Sequence, residues 1–237
     1  MKKLLSLLVP TLALLCSCED AGDDYRYPSI ITDYTCLLTD ESGQPDLLRL
    51  DNGRSYPIAF ADEAYDAATY KADTTYRIIS VYELRADSVA YVYSMAQTLS
   101  HIPTPLRSGE TLHQAPAYLQ SNWLSGGYLN MVIELKALNG QHSIGFIDTT
   151  PEAMQGKEFT FYHRVISDVE SYRQKLYGSI PLAPFSNALQ QGDTLRFVIN
   201  TYDEGVTLRE FVMQSEYPSV GAPASRTPHG MPLYSLR

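Results

Sequence analysis

Cysteine is scarce in this chain, with three in 237 residues, at positions 16, 18 and 36. So few cannot build a disulfide framework, and stability has to come from a packed core. Positive charge is scarce as well: 18 Lys+Arg stand against 27 Asp+Glu, a formal net charge of −9. That balance repels phosphate backbones, and with no basic patch to offset it no nucleic-acid partner is expected. Long apolar runs are missing. The stretch from Leu4 to Leu15 falls short of the ~20 residues a spanning helix needs, and it carries Pro10 in its middle. The five histidines (His101, His113, His142, His163, His229) show no metal-ligand spacing. No serine sits in a Gly-x-Ser-x-Gly elbow, Asp168 and Glu170 lack EF-hand spacing, and Asp203-Glu204 reads as a solvated turn. No catalytic residue, cofactor or metal site is therefore assigned. Repeats, heptads and helical periodicity are absent too, and only Asp62 to Ala72 has a helix-compatible composition.

What is present begins at the N-terminus. MKKLLSLLVPTLALLCSC has two lysines, an apolar stretch and then small or sulfur-bearing residues, the order of a secretory signal. Leu15-Cys16-Ser17-Cys18 resembles a bacterial lipobox: a Leu three places before a Cys, a small residue, then the Cys. The resemblance implies a lipoprotein signal peptide over residues 1–17, lipidation at Cys18, and attachment to a membrane through acyl chains without spanning it. The alternative is an ordinary secretory signal that ends in cysteine. A redox or metal pair would lose Cys16 to cleavage. Cys36 is then left alone, as a small buried hydrophobe in a strand or as a reactive thiol. Residues 18–28 read as an acidic tether, with Glu19, Asp20, Asp23 and Asp24 close together. Its composition is similar to the acidic stretch after the lipidated cysteine in surface-exported lipoproteins of Bacteroidetes. That implies an outer-membrane lipoprotein exposed at the cell surface, with the periplasmic face as the alternative.

Beyond the tether, short β-rich runs alternate with turn signals. Strands are expected over Ile30–Leu38, Leu47–Leu50, Ser55–Phe60, Thr75–Leu84 and Ser88–Leu99, with Asn52-Gly53 as the strongest hairpin turn. Residues 100–118 hold three prolines and no periodicity, which marks a domain linker. A second group follows: Asn130–Leu138 and Gln141–Asp148 as a hairpin around Asn139-Gly140, then Glu158–Ile166, Leu176–Leu182, Thr194–Tyr202 and Val206–Gln214. Strands at this spacing with almost no helix predict an all-β chain, a sandwich or barrel in each half. The tail, residues 218–237, is Pro-rich and aperiodic and is expected to pack loosely.

Several stretches also resemble one family. Leu37 to Gly43, Leu50 to Ile58 and Tyr76 to Glu83, placed after a lipobox start, look like the N-terminal half of the NigD-like lipoproteins of Bacteroidetes. Asn122-Trp123-Leu124-Ser125-Gly126-Gly127-Tyr128-Leu129-Asn130 is similar to that family's entry into its C-terminal half. His142-Ser143-Ile144, the run from Phe159 to Tyr172, and Tyr177 to Leu182 also fit. The resemblance implies an OB-like barrel over residues 29–115 and a β-sandwich over 116–217. It also implies a link to bacteriocin production or immunity, and it carries over no catalytic residue.

For the mature protein this leaves a non-enzymatic binding role, in immunity or in an envelope complex. A glycan- or peptide-binding role in nutrient uptake is the alternative. The protein or glycan partner is unidentified and the oligomeric state is open. Tyr91, Tyr93 and Trp123 are the candidate ligand surface, although aromatic residues on strands serve cores and half-exposed faces equally well. Asp73-Thr74, Asp87-Ser88, Asp148-Thr149 and Asp193-Thr194 resemble the O-glycosylation sequon of Bacteroidetes. That makes Thr74, Ser88, Thr149 and Thr194 candidate modification sites. A turn Asp followed by the first residue of a strand produces the same pattern.

Overall fold

The computed structural model describes residues 29–60, 70–138, 140–167 and 172–214, with the backbone of Leu233–Ser235. Five strands form the N-terminal unit: β1 (Ile31–Thr39), β2 (Pro45–Leu50), β3 (Ser55–Phe60), β4 (Thr75–Leu84) and β5 (Ala90–Gln97). They close into a barrel in the order β1-β2-β3-β5-β4, with β3 and β5 parallel and the other pairs antiparallel. This is the five-stranded Greek-key arrangement of an OB-type barrel, and closure leaves no bare sheet edge. Turn chemistry sets the registers. Asp40 Oδ1 accepts the Ser42 and Gln44 amides between β1 and β2. Gly53, at φ 85°, supplies the positive dihedral between β2 and β3. Leu37, Leu48, Ile78, Tyr82 and Val92 fill the interior, where the Thr35 and Ser80 hydroxyls satisfy each other at 2.9 Å. The helix-compatible stretch from Asp62 lies for the most part outside the described residues.

The C-terminal unit is a sandwich. One sheet has the order β10-β7-β6, from β6 (Tyr118–Ser125), β7 (Tyr128–Ala137) and β10 (Tyr172–Pro181). The other has the order β12-β11-β9-β8-β13, from β8 (Gln141–Asp148), β9 (Gly156–Ser167), β11 (Thr194–Thr201), β12 (Gly205–Val212) and β13 (Leu233–Ser235). Alternation decides which side chains enter the core. Leu195, Phe197 and Ile199 of β11 are fully buried, while the residues between them are half-buried. They meet Leu129, Met131 and Ile133 of β7 across the layer. Gly178 keeps that layer thin, because a Cβ there would lie 2.8 Å from Met131 and 3.0 Å from Phe146.

Three sequence expectations change. Asn139-Gly140 does not make a hairpin: β7 pairs with β6 and β10, whereas β8 pairs with β9 and β13 in the other sheet. Both edges of β7 are taken, so the chain crosses between sheets at that corner. Tyr118–Ser125, read partly as linker, is β6; its hairpin with β7 turns on Gly126 (φ 60°) and Gly127 (φ 81°), the paired positive dihedrals of a type I′ turn. The tail returns as β13, whose Tyr234 pairs with His142 on the edge of β8; most of the tail lies outside the described residues.

The Pro-rich segment after β5 is an arm bound to the sandwich. Leu99 exchanges backbone bonds with Tyr177 and Ser179, and the Thr104 carbonyl accepts Asp148 N–H. Residues 113–115 then bond to both sides of His163, and Ala117 joins β11. The arm thus passes from the edge of β8 to the far edge of β9. His101 caps the β8 edge, where its Nε2 accepts the Phe146 amide at 3.0 Å, so the proton of the neutral ring is on Nδ1.

Burial lowers the His101 pKa from its ordinary 6.5, and the Phe146 carbonyl, 3.3 Å from Nε2, works the other way. The unfolded chain therefore takes up a proton that the folded chain refuses. Stability should be lost as pH falls below about 6.5, a loss measurable by denaturant titration between pH 7.5 and 5 and reduced in His101→Gln. In the core, Gly178→Ala should destabilise by about 1–3 kcal/mol through overpacking, measured by the same titration at pH 7.5.

Candidate functional site

The most densely bonded polar group sits between the two units. Cys36 and Arg77 are paired residues on β1 and β4, and their side chains leave the barrel on the same outer side. Arg77 Nη1 and Nη2 donate to the two Asp51 carboxylate oxygens at 2.5 and 2.9 Å. Nη2 also donates to Asn130 Oδ1 at 3.0 Å, and Nε to Ser179 Oγ at 3.1 Å. Ser179 in turn donates to Asn130 Oδ1 at 2.7 Å. Asn130 and Ser179 are opposed residues on β7 and β10, on the sheet face away from the sandwich core. Tyr128 and Tyr34 lie against the guanidinium at 4.2 and 5.5 Å, and the Tyr34 hydroxyl donates to the Met131 carbonyl at 2.6 Å. Burial works against the Arg77 charge, but the Asp51 bond and charge outweigh it and hold the pKa above its ordinary value. Burial raises the Tyr34 and Tyr128 phenols, so both remain protonated. These bonds lock the joint.

The sequence-predicted residues fall at separate places. Trp123 on β6 packs edge-on against Tyr34, with ring centroids 5.3 Å apart, at the joint. Tyr91 and Tyr93 form their own edge-on pair on the barrel, at 5.5 Å. Arg85 lies 3.6 Å over the Tyr91 ring, and the Tyr93 hydroxyl donates to Glu83. The three therefore make no common surface. Among the glycosylation candidates, Ser88 is exposed on the β4–β5 turn. Thr149 shares its hydroxyl with Thr160 at 2.7 Å and Thr74 donates to Ala72, while Thr194 starts β11 half-buried. Cys18 lies outside the described residues. Cys36 is buried, 3.6 Å from the Tyr128 hydroxyl and 3.7 Å from Arg77 Nη1. His142 and His163 contact each other, Nδ1 to Nε2 at 2.8 Å, and His163 Nδ1 reaches the Ala115 carbonyl at 3.0 Å. Because a carbonyl only accepts, His163 carries its proton on Nδ1, and His142 Nδ1 donates to His163 Nε2. Among the described residues no His/Cys/Asp/Glu group could hold a metal, and no helix is long and apolar enough to cross a membrane.

Two surface clefts are lined by described residues. One, of about 240 Å³, is lined by Tyr118, Glu134, Arg173, Glu204 and Arg209 among others. Its charges answer one another: Arg173 reaches Glu134 at 3.7 Å and covers Tyr118 at 3.9 Å, and Arg209 reaches Glu204 at 3.5 Å. The other, of about 350 Å³, lies between the arm and the outer face of β8 and β9. Glu110, Thr111 and His113 come from the arm; Ser143, Tyr162 and Arg164 come from the sheet.

Residues 104–213 match the family model of the NigD-like C-terminal beta sandwich domain. Over that span the chain is similar to a NigD-like sandwich. Its likeness to solved structures extends through the barrel. A NigD-like immunity protein from Bacteroides caccae is similar at 26% identity and TM-score 0.65, over 79% of this chain and 99% of that one. A protein of unknown function from Bacteroides vulgatus shares the fold at 14% identity and TM-score 0.57, over 81% and 95%. No curated protein sequence matches.

The NigD-like match begins at Thr104, the point where the arm first bonds to β8. Sequence reasoning missed Arg77 and Asp51 because each looks like an ordinary strand or turn charge until the second unit covers it. A weak signal was available: the Asp-Asn-Gly-Arg turn and the Trp-to-Asn stretch both carry the family resemblance, and the structure brings them together at Asp51 and Gly126. Arg49 points to the same joint, but its Nε and Nη2 are buried without a partner among the described residues. Arg77→Met should therefore cost about 3–5 kcal/mol in chemical denaturation, the range for orphaning one member of a buried pair. Arg49→Met should be neutral or stabilising, because it removes an unpaired buried group.

Proposed function

We propose that this chain is a non-enzymatic, lipid-anchored binding protein of the outer membrane, exposed at the cell surface and acting in immunity or in an envelope complex. The observation that carries the reading is its similarity to the NigD-like immunity protein of Bacteroides caccae over nearly the whole of that chain. The lipobox at Cys18 and the acidic residues after it support the anchor and the surface orientation. The polar joint supports a rigid two-part body at the end of a tether, suited to presenting a fixed surface. The second reading, glycan or peptide binding for uptake, is favoured by the polar lining of the cleft under the arm. Ser88, the exposed hydroxyl of the four sequons, is the first site at which O-glycosylation would be sought.

In the native host, the wild-type chain should take up labelled palmitate, sediment with outer membrane and be cleaved by protease added to intact cells. Cys18→Ser should lose the label and leave the membrane fraction. Retention of that variant in the membrane would sink the anchor; protection from protease would move the protein to the periplasmic face. A deletion strain should become sensitive to the toxins of competing strains, and the wild-type gene should restore resistance. Unchanged sensitivity across a panel of such competitors would remove the immunity role.

A further inference from the structure

We propose that strand β12 is the contact surface between two copies of this chain, joined edge to edge about a two-fold axis at Leu208. Met213 N–H bonds to the Asp193 carbonyl, and the β11–β12 pairing runs from Thr194–Val212 to Thr201–Gly205 without a shift. The alternation of an antiparallel ladder then turns the backbone groups of Val206, Leu208, Glu210 and Val212 away from β11, toward the open edge. Water satisfies those groups in a single copy. It serves three of their side chains badly: Val206 is 65% exposed, Leu208 45% and Val212 62%. Val198, half-buried opposite Leu208 on β11, continues the apolar row inward. A straight eight-residue edge with no proline, no bulge and three outward aliphatic side chains is the kind that proteins ordinarily blunt. The other described edges of the sandwich are blunted. Leu99 pairs with β10, Thr104 and β13 lie along β8, and β6 carries a bulge between Leu119 and Ser121.

The residue order of β12 suits a second copy of itself and fixes the register. In a two-fold antiparallel pairing, the residue on the axis meets its own counterpart. With Arg209 on the axis, two guanidiniums stand directly opposite; with Glu210 there, two carboxylates do. Axes nearer either end of the strand shorten the overlap. With Leu208 on the axis, neither fault arises. Leu208 meets the partner's Leu208, and Val198 on each side extends one apolar row across both sheets. Val206 meets the aliphatic stem of the partner's Glu210, a residue whose carboxylate is held by Arg196 at 2.8 Å. On the inner face Thr207 meets the partner's Arg209, and Gly205 leaves room for the partner's Phe211, an aromatic-over-glycine pair suited to an edge. The outward backbone groups of Val206, Leu208 and Glu210 exchange N–H and C=O bonds across the axis. Such an edge contact is small, at the weak end of specific interfaces, so it is best read by trapping.

The test places single cysteines in the full chain, produced in its native host and oxidised in whichever cell fraction holds it. Residues directly opposite in a bonded antiparallel pair lie about 5.5 Å apart at Cα, within disulfide reach. Leu208→Cys should therefore form a disulfide-linked dimer on a non-reducing gel, beyond any seen with the wild-type chain. Val206→Cys and Glu210→Cys should each stay monomeric alone, since like positions lie roughly 13 Å apart in this register. Produced together, those two variants should cross-link to each other. Leu208→Pro removes only an outward N–H and leaves the β11 ladder bonded, so it should abolish that mixed cross-link without moving the thermal transition. Leu208→Lys, which keeps the backbone and sets like charges on the axis, should do the same. Dimers of Val206→Cys alone, equal yields at all three positions, a mixed cross-link that survives both Leu208 substitutions, or no dimer at any position would overturn the proposal. So would a Leu208→Cys adduct with a different protein, which would make the edge a site for a foreign strand. The pairing depends neither on the anchor nor on immunity, so its failure is separable from failure of the function proposed above.

Discussion

One guanidinium holds the two halves of this protein in register. Arg77 leaves the barrel wall fully covered, with a carboxylate from its own unit on one side and an amide and a hydroxyl from the sandwich on the other. Arginine suits the position for geometric reasons: its fork spreads donors in one plane and its faces accept aromatic rings, which Tyr34 and Tyr128 supply. Replacing a whole buried ion pair, both partners together, with packed hydrocarbon can be neutral or even stabilising. Its value here lies in direction. A hydrophobic patch tolerates rotation of one unit against the other, whereas directed bonds from Arg77 to Asn130 and Ser179, with Asp51 fixing the fork from its own side, allow a single docking.

That docking explains features that look separate. β7 is buried on both faces because one face lines the sandwich core while Tyr128 and Asn130 turn to the barrel. Gly126 cannot carry a side chain partly because its turn is pressed against Asp51. Trp123, the single tryptophan, is spent on Tyr34 at the same joint. Aromatic mass and buried polarity are concentrated inside the molecule, and its outer surface is left acidic and largely solvated.

Much of the barrel was legible in the sequence because its strands are short, its turns carry Gly or Asx signals, and each hairpin closes locally. Thr75–Leu84 appears in the structure with the boundaries read from the chain. The sandwich was less legible. Asn139-Gly140 carries the local signature of a hairpin, and only the prior claims of β6 and β10 on the edges of β7 prevent one. β6 was hidden because Gln120, Ser121 and Asn122 break the apolar alternation on an edge strand. The arm has no periodicity at all, since its backbone bonds are isolated bridges to four different strands. As for chemistry, the joint has no contiguous motif. It is assembled from residues far apart in sequence, and side chains that look like solvated charges acquire their roles only when the second unit is in place.

The joint also bears on how this architecture can be inherited. Cut between the units, each half would turn a tailored polar face to water: Arg77 and Tyr34 on one piece, Asn130, Ser179 and Tyr128 on the other. Neither half is a portable module that could be fused to a new neighbour unchanged. Recombination would have to carry barrel, arm and sandwich together, or rebuild the face at the same time. The polar seam therefore makes the pair, and not either domain, the unit that passes intact from one chain to the next.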